Sequence, residues 1–157
     1  AAGRALAVGV LRKHRLVETF LVRVLGMDWA EVHEEAESLE HAISDRLLAR
    51  IDAFLGHPKV DPHGDPIPTA QGKVTDASAG ATLADCALRT KLRVARITDQ
   101  SAEFLEFVTR AGLKPGARIM VRERDAASGV VRCDLGRGKT AMLGLPEARK
   151  IQMRVEG

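Results

Sequence analysis

Four of the six prolines fall between residues 58 and 68, in the run GHPKVDPHGDPIP. No helix interior or central strand tolerates that spacing, because each proline removes a backbone donor and restricts the residue before it. The run therefore reads as ordered turns or linker, and it divides the chain. Before it the apolar residues recur at helical intervals. Beyond residue 90 they alternate as in strands.

This organisation predicts an α+β fold. Residues 1–56 form a helical domain, residues 57–90 a Pro/Gly-rich linker, and residues 91–157 a small β domain. In the helical part Gly26 interrupts the pattern, and Ser44-Asp45 supplies an N-cap for a further helix. In the last part LRVARI, ARIMVRE, GVVRCDL and KIQMRV read as strands. SAEFLEFVTRAGL reads as a helix ending at Gly112, with Pro115 just behind. About five short strands around one helix suggest a small SH3-like barrel.

Composition narrows the function classes. Aromatic residues are 3% of the chain, with one Trp and no Tyr, so stacking platforms for bases are few. A net charge of +3 is too small to argue for nucleic-acid binding by itself. Cys86 and Cys133 make neither a disulfide framework nor a thiolate metal site, which suits a reduced, cytoplasmic setting. No apolar run reaches the length of a membrane span. The opening AAGRALAVGVLRKHRL has no signal-peptide order and reads as an amphipathic helix entered abruptly, as if a preceding segment were missing.

The densest chemistry lies in HEEAESLEH, residues 33–41, where six of nine side chains are ionisable. At about 100° per residue, with His33 at zero, Glu37, Glu40 and His41 fall at roughly 40°, 340° and 80°. These four share one stripe. Trp29, Val32, Ala36, Leu39 and Ile43 occupy the adjacent arc and are expected in the core. Glu31, Glu34, Glu35 and Ser38 point to water. From Asp28 to Asp45 there are seven acidic residues and no Lys or Arg. Converging carboxylates need a proton or a cation.

On the preceding helix His14 and Glu18 are four apart and share a face with Ala7, Val10, Leu11, Leu21 and Leu25. Arg12, Arg15, Thr19 and Arg23 lie on the other side. Buried ionisable groups need partners, and a turn at Gly26 brings His14 and Glu18 opposite His33. Two readings of these residues stand. One is a divalent-metal site on imidazole and carboxylate donors; the other is a solvated acidic face beside a structural His–Glu pair. HEEAE departs from the zinc-protease HExxH at Glu37, and Ser38 breaks the Glu-x-x-His of di-iron bundles, so an enzyme is not supported.

At these residues the chain resembles the diphtheria-toxin-repressor family of iron- and manganese-dependent transcriptional regulators. GRALAVGVLRKHRLVETFL is similar to the family's long helix after its DNA-binding module. LGMDWAEVHEEAESLEHAISDRLLARI is similar to its metal-binding and dimerisation helices, and DPHGDPIP to the turn that follows. The last third, with AGLKPGARIMV, is similar to its SH3-like, FeoA-like domain. The resemblance implies two metal sites. His14, Glu18 and His33 match helical ligands of the ancillary site. Glu37, Glu40 and His41 match those of the primary, regulatory site. Where the iron-responsive branch has Cys, the manganese-responsive branch has Glu, as at Glu37. In that branch the residue matching His14 can join a binuclear cluster.

In some members the C-terminal domain adds a Glu and a Gln to the ancillary site. Gln100 matches the Gln, and Ile97 stands where the Glu belongs, with Asp99 or Glu103 as substitutes. His63 is expected to be a turn residue, not a ligand. The winged helix-turn-helix that begins family members has no counterpart here. The resemblance thus implies part of a homodimeric, Mn2+- or Fe2+-dependent repressor, with Mn2+ favoured. It would reach operator DNA through a module outside this sequence. Phe20, Val24, Leu47 and Phe54 are candidates for the dimer contact. Two rivals are a FeoA-like accessory protein of ferrous-iron transport and a metal-free helical dimerisation module.

Overall fold

The computed structural model describes residues 1–75 and 80–156. The chain divides into two compact units, Ala1–Ala77 and Ser78–Gly157.

Among its described residues the first unit has three helices: α1 (Ala2–Arg23), α2 (Val32–Glu40) and α3 (Asp45–Phe54). Gly26, at φ 69°, takes the left-handed conformation that lets the chain leave α1 and turn back. Ser44 caps α3, its hydroxyl accepting from Leu47 N at 3.2 Å. Val17, Leu21, Val32 and Ala36 close the space between α1 and α2, with Phe20 and Met27 packed against them. Burying Val17, Leu21 and Val32 contributes roughly 1.5–3 kcal/mol each. Leu39 departs from the expected core and is 38% exposed. Ala7, Val10, Leu11 and Leu25 are also exposed, so the apolar stripe of α1 is covered only around its middle.

The other side of α1 is covered as well. Leu16 packs with Leu48 and Ile67, and Thr19 is fully buried. Residues 57–75 belong to this unit and form a strap over α1. Arg12 donates to Pro68 O at 2.9 Å and to Asp52 Oδ2 at 2.9 Å. Arg15 donates to Pro66 O. The Pro66 and Pro68 carbonyls thus serve as acceptors for the half-buried arginines. The expected linker over 57–90 is thus split in the structure. Its first part packs on the helices, and residues 80–90 join the second unit, where Leu83 and Cys86 are buried.

The second unit is a five-stranded antiparallel sheet of β1 (Leu92–Ile97), β2 (Arg118–Asp125), β3 (Val130–Gly136), β4 (Lys139–Gly144) and β5 (Ile151–Val155). Its order is β4-β3-β2-β1-β5. Helix α4 (Ala102–Ala111) follows β1, and the short α5 (Leu145–Ala148) follows β4. Alternation buries Leu92, Val94, Ile97, Ile119, Val121, Val131 and Cys133 on one face. Gly112 ends α4 at φ 73°. Among the described residues no helix is long and apolar enough to cross a membrane.

Candidate metal centre

Helix α1 delivers His14 and Glu18 from consecutive turns on one face. Helix α2 returns along α1 and brings His33 to the same point. His14 Nε2 lies 3.0 Å from Glu18 Oε1 and 3.0 Å from His33 Nδ1. His33 Nδ1 is 3.3 Å from the same Glu18 oxygen. One donor atom from each of the three lies within 4.8 Å of the others. His33 is largely exposed and Glu18 is buried, so the cluster sits where the core meets water.

The other nitrogen of His14 is also engaged. Nδ1 donates to Glu40 Oε2 at 2.6 Å. A ring with a carboxylate on each nitrogen favours the charged imidazolium. Glu18, against the opposing cost of burial and with help from Glu40, raises the His14 pKa from 6.5 to about 9. Burial opposes the Glu18 carboxylate, yet the hydrogen bond from His14 and the neighbouring imidazoles hold its pKa below the usual value. In ligand terms, Nε2 points at the cluster while Nδ1–H stays on Glu40. An imidazole oriented by a carboxylate on its far nitrogen is the usual arrangement around a protein-bound metal.

The four residues of the α2 stripe divide. His33 turns to the α1 pair. Glu40 is buried against His14. His41 is exposed, with Nε2 3.5 Å from Glu40 Oε1. Glu37 is exposed one turn earlier. Glu40 and His41 border an open groove of about 570 Å³ lined also by Leu6, Val10, Lys13 and Leu48. Glu31, Glu34, Glu35 and Ser38 are exposed.

His63 lies deeper than a turn residue is expected to lie. It is 1% exposed and stacks on Trp29, with ring centroids 5.4 Å apart. Glu18 Oε2 is 3.7 Å from His63 Nδ1, and Asp61 Oδ1 is 4.0 Å from it. Glu18, Asp61 and His63 form a second, wholly buried group of donors. Burial raises the Asp61 pKa, and the nearby Asp65 and Glu18 charges add to this. Burial opposes a charged His63, but Asp61, the Trp29 carbonyl and Glu18 outweigh it and raise its pKa. Sequence reasoning missed this group because a turn has no periodicity. The available signal was acid, imidazole, acid at alternate positions 61, 63 and 65.

Gln100, Asp99 and Glu103 belong to the second unit. Gln100 is half-buried, and its amide donates to Ile97 O at 3.5 Å. Asp99 accepts from Lys150 Nζ at 2.7 Å, and that contact holds its pKa at about 2. Glu103 is exposed on the first turn of α4. Ile97 is fully buried in the sheet. Both cysteines are buried, and burial pushes the Cys133 thiol up to about 11.

Residues 1–69 match the family described as "Iron dependent repressor, metal binding and dimerisation domain", and residues 81–155 match the FeoA domain. A solved structure described as a manganese-dependent transcriptional repressor in complex with manganese superimposes with a TM-score of 0.87 at 44% identity. The match covers 99% of this chain and 73% of that one. The chain belongs to the iron-dependent repressor family. Relatives in this family include the iron-dependent repressor IdeR of Mycobacterium leprae, 34% identical over 82% of this chain and 61% of its own length. The diphtheria toxin repressor of Corynebacterium diphtheriae is 33% identical over 78% of this chain and 58% of its own. The chain thus spans about three fifths of the length of these curated family members.

Proposed function

We propose that this chain is the metal-sensing and dimerisation part of a divalent-metal-dependent transcriptional regulator, a repressor of metal-homeostasis genes, acting as a homodimer. The observation that carries the reading is the convergence of His14, Glu18 and His33 from two helices, with no Lys or Arg on α2 to neutralise the acids. The donors fit a first-row divalent ion, since imidazole and carboxylate without thiolate suit Mn2+ and Fe2+. Manganese is favoured, in keeping with Glu37 on the stripe and with the name of the 44% identical repressor. His14, Glu18 and His33 would hold one ion. Glu37, Glu40 and His41 would supply the helical share of a second site, completed by ligands from a DNA-binding module.

The groove beside Glu40 and His41 supports this arrangement. It leaves His41 exposed and reaches the edge of the largely buried Glu40. The hydrogen bond from His14 to Glu40 then couples the two sets. A bound ion supplies fixed positive charge, and neutralising the cluster changes what Glu40 faces. Regulation follows if the metal binds one placement of the DNA module more tightly than another. The residues matching the helical dimerisation domain distinguish this from a transport accessory built of the FeoA barrel alone.

The test is operator binding by a protein carrying this chain behind its winged-helix module, with Mn(II), with Fe(II) under anaerobic conditions, and with chelator. Metal-dependent binding that falls when Glu37 and His41 are replaced supports the reading. Equal binding in chelator contradicts it.

A further inference from the structure

In the buried group beside the helical cluster, one nitrogen has no hydrogen-bond partner among the described residues. His63 Nε2–H donates to the Trp29 carbonyl at 2.8 Å. A carbonyl only accepts, so this bond fixes the hydrogen on Nε2. When a cation displaces the proton that Glu18 and Asp61 favour, the lone pair on Nδ1 is the one that faces them. That atom is buried and has no hydrogen-bond partner. The two nearest oxygens, on Glu18 and Asp61, are 3.7 and 4.0 Å away, too far for hydrogen bonds. An orphaned buried nitrogen is costly and calls for an explanation.

The surroundings supply one. The side chains of Glu18, Asp61 and His63 are each no more than 2% exposed. Asp61 Oδ1 is held in place by the backbone N–H groups of His63 and Asp65, each at 2.9 Å. Ligands at about 2.1 Å from one ion, separated by 90° to 120°, lie roughly 3.0–3.7 Å apart. The Glu18 separation falls at the upper end of that range and the Asp61 separation just beyond it, so a small inward movement would bring both into reach. Glu18 already presents Oε1 to His14 and His33, which leaves Oε2 facing His63.

We propose that Glu18, Asp61 and His63 form a second, inner site for a divalent first-row cation. The Glu18 carboxylate would bridge it to the outer ion on His14 and His33. This rests on the metal reading above for the outer ion alone. The inner donors stand on their own geometry. Two ions sharing one carboxylate lie on the order of 4 Å apart. The inner ion would tie the strap to α1 and fix the face that His14 and Glu18 present.

The experiment is Mn(II) titration of the 157-residue chain, read by the loss of free-ion electron paramagnetic resonance. It is made in a Glu37→Gln, His41→Ala background, so that ions on that pair do not enter the count. Binding of two Mn(II) is expected, falling to one in His63→Gln and one in His14→Ala, His33→Ala. Asp61→Asn keeps an oxygen for the two backbone donors and should also fall to one. It serves where His63→Gln disturbs folding, which far-ultraviolet circular dichroism reports. One Mn(II), unchanged in His63→Gln and Asp61→Asn but lost without His14 and His33, overturns the inner site and leaves the functional reading intact. One Mn(II), lost in His63→Gln and kept without His14 and His33, supports the inner site and overturns the helical ligand set. No binding overturns both.

Discussion

The pairing of His14 with two carboxylates makes the metal-free protein's stability depend on pH in a defined direction. The imidazole lies between Glu18 and Glu40, and its pKa rises from 6.5 to about 9, chiefly through Glu18. The folded chain therefore holds this proton more tightly than the unfolded chain. The stabilisation is complete below about pH 6.5 and is lost as pH rises through about 9. The gap between the two values sets a ceiling of about 3 kcal/mol. The imidazole is 14% exposed, so solvent screening removes only part of this, and about 2 kcal/mol is expected. Urea unfolding in chelator would be compared for the parent chain and His14→Gln, from about pH 6 to about pH 9.5. The variant still hydrogen-bonds but does not titrate. The parent should lose about 2 kcal/mol more than the variant across that window. Parallel stability curves would refute the pairing. Mn(II) reverses the dependence. Metal at Nε2 displaces the proton, so affinity should rise about tenfold per pH unit until His14 is neutral.

Arg12→Ala removes the donors to Pro68 O and Asp52, both largely buried contacts, and should cost about 2 kcal/mol in urea unfolding of the first unit. Leu16→Ala leaves a cavity between Leu48 and Ile67 and should cost roughly 2–5 kcal/mol in the same assay. Leu47→Glu with Phe54→Glu replaces side chains that are 49% and 72% exposed, so stability should change by less than about 0.5 kcal/mol per site. Sedimentation velocity should then show the chain shifted from dimer toward monomer. An unchanged dimer would move the contact elsewhere on the surface.

Local signals in the sequence translated directly. Gly26, Ser44 and Gly112 each act through one or two residues, and each does in the structure what its chemistry predicts. The α2 stripe was legible for the same reason, since helix geometry alone places His33 and Glu40 beside the core. What failed depends on long-range packing. Arg12, Arg15 and Thr19 read as the polar side of α1 opposite His14, yet the strap takes the donors of Arg12 and Arg15, and Thr19 is buried with its hydroxyl on Arg15 O. The same proline-rich run that marks a break in regular structure supplies the carbonyls that Arg12 and Arg15 bond. His63 looked like turn chemistry because its burial is set by Trp29, thirty-four positions earlier in the chain. β4, KTAMLG, has too few β-branched residues to stand out as a strand, and it forms by pairing with β3.

The most direct test of the central claim is anaerobic calorimetry of Mn(II) binding to the 157-residue chain beside His14→Ala, Glu18→Ala. A saturable binding heat in the parent that disappears in the double variant is the predicted result. The same isotherm in both proteins, or no binding by the parent, would contradict a metal site between α1 and α2.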